Sequence, residues 1–165
     1  MQDNHISFSA DANKNDVKRF YRNQNYSAKF KGYDQAFVAS EYNSIAPLVH
    51  QDNNLSKNII GGVIISQLRQ GNKQALLHGL VVSQSYRGLG LGKKLTKHAL
   101  KHCSLEVDHI VCFAEPHLAQ FYGSCGFSLV DKNSITADLS PELAARFTSY
   151  QKYRANLAIF ISERR

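Results

Sequence analysis

Alternating glycines separate a predicted strand from a predicted helix in the segment Arg87-Gly88-Leu89-Gly90-Leu91-Gly92-Lys93. The strand is residues 74–82, and the helix after the glycines carries Leu91, Leu95 and Ala99 on one face. Glycines lack Cβ atoms, so consecutive backbone N–H groups can converge on an anion at the positive end of a helix. The order of strand, glycine loop and helix therefore predicts a phosphate-binding turn in an α/β fold.

Spacing separates the loop families that bind phosphates in this way. A nucleoside-triphosphate loop has the pattern GxxxxGK[ST], but Arg87 stands where the first glycine is needed and Lys94 where the hydroxyl is needed. A dinucleotide fingerprint requires GxGxxG, but Lys93 occupies the third glycine position and Asp108 precedes the next strand instead of ending it. The remaining pattern, [QR]xxGx[GA], is matched in full by residues 87–92.

A second segment, Phe121-Tyr122-Gly123-Ser124-Cys125-Gly126-Phe127, follows about 30 residues later on a predicted helix. The two segments in this order resemble the GNAT superfamily, the acyl-CoA-dependent N-acyltransferases. Its pyrophosphate loop has the pattern [QR]xxGx[GA], and a later helix carries [LF]YxxxGF. The resemblance covers residues 75–130 at the level of motifs and extends less closely to the order of the strands before them. Residues 131–156 match the family pattern only weakly.

The fold predicted from pattern and resemblance is a mixed α/β domain spanning residues 1–165. We expect a mostly antiparallel GNAT-type sheet of six or seven strands, flanked by helices and splayed between the strands at 75–83 and 109–115. Predicted strands are 5–10, 35–40, 59–68, 74–82, 109–115, 127–130 and 157–161, with a hairpin turn at 70–73. Predicted helices are the segment from Asn15 or Asp16 to 26, the segment after the glycine loop, 117–125 and 141–153.

The resemblance implies acetyl-CoA as cosubstrate and assigns residues to hold it. Backbone groups of Leu80 and Val82 are expected to bind the pantetheine arm where the sheet opens, and backbone N–H groups from Gly88 to Lys93 to hold the pyrophosphate. The expected cofactor-binding residues are Leu80, Val82, Arg87, Gly88, Leu89, Gly90, Leu91, Gly92 and Lys93.

Tyr122 is the family position for the general acid that protonates the departing thiolate, although a core tyrosine is the ordinary alternative. The base is left open between His78, Glu115 and water, because the strand before the loop has no acidic residue. Related arylalkylamine N-acetyltransferases carry a histidine at the position of His78, and imidazole suits a base near neutral pH. Strand alternation predicts that His78, Leu80 and Val82 point to one face.

The amino-acid composition restricts the possible partners and metal sites less than the two motifs do. The formal charge is +7, which attracts anions in general. No nucleic-acid-binding motif is recognisable, so we do not expect a nucleic acid as a partner. The three cysteines have no close pair, and His98 and His102 lack the glutamate of HExxH, so we expect solvated histidines, no metal site and reduced thiols. The longest apolar stretch, residues 59–65, is shorter than the about 20 residues of a membrane span.

The function predicted is transfer of an acetyl group from acetyl-CoA to a primary amine, by direct attack in a ternary complex. The acceptor, a small molecule or a peptide, is expected to bind near the first helix, residues 44–58 and the late helix 140–153. A cytoplasmic location is expected, and a homodimer is a possible assembly. Two alternatives stay open: an acyl-CoA-binding module without turnover, and a basic nucleic-acid-binding domain.

Overall fold

The computed structural model describes residues 5–42, 58–69, 73–134 and 138–164. These ranges hold seven strands: β1 (His5–Ser9), β2 (Gln35–Tyr42), β3 (Asn58–Gln67), β4 (Gln74–Val82), β5 (His109–Ala114), β6 (Ser128–Leu129) and β7 (Ala158–Glu163). They also hold four α-helices: α1 (Lys14–Asn23), α2 (Leu91–His102), α3 (Ala119–Ser124) and α4 (Pro141–Gln151). Short 3-10 turns at Gln84–Tyr86 and Pro116–Leu118 precede α2 and α3.

One sheet contains all seven strands in the order β1-β2-β3-β4-β5-β7-β6. Only the pair β4 and β5 is parallel, and α2 forms the crossover between them. The other neighbours are antiparallel. This arrangement confirms the expected mixed, mostly antiparallel sheet flanked by helices.

Helices cover both faces of the sheet, as strand alternation requires. Phe37, Leu77, Ile110 and Phe160 are buried on the face that α2 and α3 cover. Their chain neighbours point to the opposite face. There Val38 and Ile64 pack with α1, and Leu76, Val111 and Ile159 pack with α4.

A β-bulge in β4 breaks the alternation just before the glycine loop. Ile64 of β3 pairs with His78 and Gly62 pairs with Val81, so Gly79 and Leu80 together oppose a single residue. Gly79 adopts a φ of 65°, which glycine tolerates best. Consequently Leu80 and Val82 pack with the α2 side, whereas Val81 packs with α1.

The predicted common face of His78, Leu80 and Val82 is therefore wrong. His78 precedes the bulge and follows Leu77, which lies on the α2 side, so its ring points to the face that α1 and α4 cover. Its Nε2 lies 2.7 Å from Oγ of Ser66 on that same face. Because of the extra residue in the bulge, His78 lies on the face that α1 and α4 cover, whereas Leu80 and Val82 lie on the α2 side.

Several boundaries differ from the sequence prediction because caps decide them. Helix α1 begins earlier than expected, at Lys14, since the Asn13 side chain accepts from the Asn15 N–H at 2.8 Å. The expected helix 117–125 is divided into a 3-10 turn and α3. Ser140 caps α4 as expected, through the Leu143 N–H. The connection 44–58 falls almost entirely outside the described residues, as do positions 70–72 of the predicted hairpin turn.

Candidate active site

The sheet opens between β4 and β5, the one parallel pair among the strands that the structure describes. Their pairing covers Gln74–Leu77 against His109–Cys112 and stops there, although β4 continues to Val82 and β5 to Ala114. The last paired residues, Leu77 and Cys112, form the apex of the opening, and the β4 bulge at Gly79 follows immediately. An unpaired strand edge inside a sheet leaves backbone donors and acceptors available to an extended ligand.

The backbone of β4 faces this opening at Leu80 and Val82. The Ser83 N–H donates to the Ile60 carbonyl of β3 at 2.8 Å. Since successive backbone groups alternate in direction along a strand, those of Val82, and of Leu80 before it, face away from β3. Arg87 Nε donates to the Val82 carbonyl at 2.9 Å, which leaves the Val82 N–H as the donor that faces the opening.

The glycine loop lies at the end of β4 and leads directly into α2. Gly88 and Gly90 have φ values of 77° and 75°, and Gly90 is the helix N-cap without a side-chain acceptor. Apart from the adjacent residues of the chain, no heavy atom of the described residues lies within 4 Å of a Cβ built at either glycine, and both glycines are exposed to solvent. At Gly92 a Cβ would lie 3.7 Å from Phe121 and Val82, an ordinary contact that alanine satisfies.

The electrostatics of this helix end favour an anion. The first turn of α2 contains no acidic residue and carries Lys93 and Lys94, both exposed. Cations at the positive end of a helix are unfavourable, and the first-turn N–H groups have no intrahelical acceptor. A bound phosphate would relieve both conditions.

A hydrogen bond that the sequence analysis missed connects the loop to β2. The Tyr86 hydroxyl, just before Arg87, donates to the Glu41 carboxylate. Glu41 is buried at 7% exposure, near the end of β2. This bond, rather than desolvation, is the main cause that raises the pKa of Tyr86. The two residues are 45 positions apart, and no local pattern indicates their pairing.

Tyr122 lies on α3 with its hydroxyl at the apex of the opening. Its ring stacks on Phe160 at 5.1 Å between centroids, and its hydroxyl is hydrogen-bonded with the Cys112 thiol. Burial, and then the neighbouring Cys112, raises the pKa of Tyr122, so the phenol stays protonated at neutral pH. The Tyr122 side chain therefore packs in the hydrophobic core with its ring and reaches the opening with its hydroxyl.

His78 approaches the same apex from the opposite face. It follows Leu77 directly, and Ser66 fixes one ring nitrogen. Burial lowers the pKa of His78; Asp34 acts against this decrease and Arg146 adds to it. The imidazole is consequently neutral at pH 7 and retains a nitrogen lone pair.

Other candidates are farther from the opening or differently engaged. Glu115 follows the end of β5, and its exposed carboxylate lies 3.2 Å from Nδ1 of His117. His102 is exposed as expected, but His98 is not simply solvated, because its ring stacks on Phe8 at 5.5 Å. In the described part of the chain, no group of three His, Cys, Asp or Glu side chains is arranged to hold a metal ion. Among the same residues, no helix is long and apolar enough to cross a membrane.

Comparison with known proteins identifies this arrangement. The family model of the acetyltransferase (GNAT) domain matches residues 6–141. A search of curated proteins gave no significant match.

Solved structures of acetyltransferases share the fold at low sequence identity. N-acetylglutamate synthase from Neisseria gonorrhoeae, complexed with coenzyme A and N-acetyl-glutamate, matches with a TM-score of 0.59 and 12% identity over 98% of this chain. The chain spans only 36% of the length of that protein. A GNAT-family acetyltransferase from Staphylococcus aureus Mu50 matches with a TM-score of 0.56 and 17% identity, over 96% of this chain and 99% of the other.

A third similar structure is a complex with a polyamine. Spermidine N-acetyltransferase from Vibrio cholerae, in complex with CoA and spermine, matches with a TM-score of 0.54 and 16% identity. The match covers 76% of this chain and 82% of that protein. At these identities the likeness concerns the fold.

Proposed function

Because the chain belongs to the GNAT acetyltransferase family, we propose that it transfers an acetyl group from acetyl-CoA to a primary amine. The observation that supports this proposal best is the opening between β4 and β5, which ends at an exposed glycine loop on a helix N-terminus. The opening offers a place for the extended pantetheine arm of acetyl-CoA, and the glycine loop that follows offers a place for its pyrophosphate.

The residues present fit acetyl-CoA. The backbone groups of Leu80 and Val82 that face the opening would hold the pantetheine arm. The N–H groups of residues 88–93 would hold the pyrophosphate, with Lys93 adding positive charge. When bound, the thioester supplies an acyl group that is already activated, so the protein needs only to position the amine and stabilise charge.

Tyr122 and His78 are the residues to which we assign proton transfer. The Tyr122 hydroxyl, protonated at neutral pH, would donate its proton to the departing thiolate sulfur at the apex. His78, neutral and held by Ser66, would accept the proton of the attacking amine from the other face. We favour His78 over Glu115, because the carboxylate of Glu115 is exposed and lies 3.2 Å from Nδ1 of His117.

The state of the cysteines favours direct attack by the amine over an acyl-enzyme intermediate. Cys103, Cys112 and Cys125 are all buried. Burial raises the pKa of each thiol, that of Cys112 to about 12, despite the hydrogen bond with Tyr122 that lowers it. A neutral buried thiol is a poor nucleophile, so an acyl-enzyme is not needed to explain the site.

Calorimetric titration with acetyl-CoA and with CoA tests the cosubstrate first. We would compare the wild type with Gly90→Asn and Gly90→Asp, since both residues tolerate the left-handed backbone that Gly90 adopts. The two variants have nearly the same shape, so their difference isolates one negative charge in the loop. We expect the asparagine variant to bind and the aspartate variant to bind at least about tenfold more weakly.

Two outcomes would contradict the proposal. Absence of binding by the wild type would exclude acetyl-CoA as the ligand, and salt-sensitive binding of DNA or RNA would then support the polyanion-binding alternative. Binding without release of free CoA, across a panel of primary amines in a thiol-release assay, would leave an acyl-CoA-binding module.

A further inference from the structure

A surface groove with a volume of about 490 Å³ lies beside α1, on the face of the sheet opposite α2. Its aromatic wall consists of Tyr21, Tyr26 and Phe30, and Lys18 and Arg22 contribute its charge. A groove of this volume has room for a small organic molecule larger than a single ion. The residues assigned above to acetyl-CoA do not line it.

The charge of the groove has no counter-charge in the described chain. Lys18 and Arg22 are one helical turn apart, and neither makes an ion pair or a side-chain hydrogen bond with a described residue. The one acidic residue in the first turn of α1, Asp16, is paired with Arg19 at 2.6 Å. Like charges at this spacing destabilise a helix slightly, and an anion bound between them would relieve that repulsion.

One side chain connects the groove to the strand that carries the proposed transfer site. The Tyr21 ring lines the groove, and the Tyr21 hydroxyl donates to the Gly79 carbonyl at 2.6 Å. Gly79 is the bulge residue next to His78, where the pairing of β4 with β5 has already ended. The groove therefore adjoins, through Tyr21, the part of β4 that borders the opening.

A third cation, Arg154, lies near the aromatic wall of the groove, although it does not line the groove itself. The Tyr26 ring stands 5.7 Å from the Tyr21 ring, centroid to centroid. Burial raises the pKa of Tyr26, and the nearby Arg154 guanidinium opposes that increase. The same phenol is also an electrostatic neighbour of Tyr122, as the pKa of the latter shows. The cations near the groove thus include Arg154 as well as Lys18 and Arg22.

We propose that this groove binds the carboxylate of the acceptor, so that the substrate class is amines that carry a carboxylate group. Lys18 and Arg22 would hold the carboxylate, and the aromatic wall would pack against the carbon chain that leads to the amine. A polycationic acceptor would be repelled by the same residues. This inference rests on the proposed acetyl transfer, and it commits to a small acceptor rather than an acidic protein.

Matched substrate pairs test the proposal. Each pair is an amino acid and its decarboxylated amine, for example phenylalanine and phenethylamine, assayed with acetyl-CoA by release of free thiol. We expect kcat/KM to be at least about tenfold higher for the acid, since two charge-assisted contacts are made only with it. The double variant Lys18→Gln/Arg22→Gln should lose this preference, because it removes both the contacts with the carboxylate and the repulsion of the amine, which is a cation at neutral pH. Arg19→Gln, on the same helix but outside the groove, is the matched control.

Binding measurements separate failure of this inference from failure of acetyl transfer. The N-acetylated forms of the same pairs are titrated into wild type and double variant in the presence of CoA, at low and high salt. The inference predicts that only the N-acetyl amino acid binds, with an affinity that salt weakens and the double variant lacks. Equal or tighter binding of the neutral product, or no carboxylate binding while acetyl-CoA still binds, overturns the inference alone. Carboxylate binding to the groove without any acetyl-CoA binding overturns the proposed function instead.

Discussion

The Tyr21 hydroxyl on α1 donates a 2.6 Å hydrogen bond to the carbonyl of Gly79, the bulged residue of β4. The bond is buried and joins residues that are 58 positions apart in the chain. The bulge turns Leu80 and Val82 toward the α2 side and leaves His78 on the α1 side. Helix α1 thereby controls the local shape on which both halves of the proposed site depend.

Tyr21→Phe is expected to destabilise the protein by about 1–2 kcal/mol, because it leaves a buried carbonyl oxygen without its donor. The measurement is the free energy of unfolding in urea. Tyr33→Phe is a suitable control, since Tyr33 is 49% exposed. The bulge should also relax, so kcat should fall more than the affinity for CoA. Stability equal to that of the wild type would contradict a role for this bond.

Tyr122→Phe should lower kcat by about a hundredfold, the usual contribution of a general acid, with little change in the affinity for acetyl-CoA. The ring contacts with Phe127 and Phe160 are retained, so folding should be preserved. Steady-state kinetics and calorimetry are the measurements. Tyr153→Phe, at a position that is 88% exposed, should behave as the wild type. An unchanged kcat for Tyr122→Phe would show that water or another group supplies the proton.

Local signals in the sequence predicted most of the elements and the glycine loop. The strand 74–82 is found with its predicted bounds, and glycine spacing with the following helical face located the start of α2. The bulge was not predicted, because His78, Gly79 and Leu80 continue an alternating pattern. The available signal was Gly79 itself, since a glycine inside a strand often marks a bulge.

Long-range contacts of the site had no sequence signal. The bonds between Tyr86 and Glu41 and between Tyr21 and Gly79 join segments that only the folded sheet brings together. The sequence predicted only that the acceptor binds near the first helix, and it did not predict the groove. The charge of the groove depends on which side chains of α1 lack partners, and a sequence pattern does not show this. Such contacts depend on register, and a one-residue bulge changes register without changing composition.

Tyr86→Phe should weaken CoA binding about tenfold, because the glycine loop loses the hydroxyl that connects it to the buried Glu41 carboxylate. Calorimetry with CoA measures this directly, again with Tyr33→Phe as control. Glu41→Gln keeps an acceptor for the Tyr86 hydroxyl and should weaken binding less. If both variants bind CoA as the wild type does, the loop keeps its shape without this bond.

His78 should make the fold less stable in acid. Its pKa is lowered by burial from the ordinary value of 6.5, so the unfolded chain binds a proton more readily than the folded one. The contribution of the neutral ring is therefore complete above pH 6.5 and is lost as the pH falls through the folded pKa. Relative to His78→Gln, the wild type should lose stability in urea unfolding over the interval that begins at pH 6.5 and extends downward. A constant difference over this interval would contradict the lowered pKa.

The same shift decides the pH profile of activity if His78 is the base. The active form is the neutral ring, so kcat/KM should fall on the acid side with a midpoint below pH 6.5, rather than above it. His78→Gln should lower the rate by about a hundredfold and remove this acid limb, while CoA binding is retained. Ser66→Ala is the companion variant, because it releases the ring nitrogen held at 2.7 Å and should move the midpoint without removing the limb. An acid limb that persists in His78→Gln would assign the base to another group, and Glu115→Gln would then be the next variant to measure.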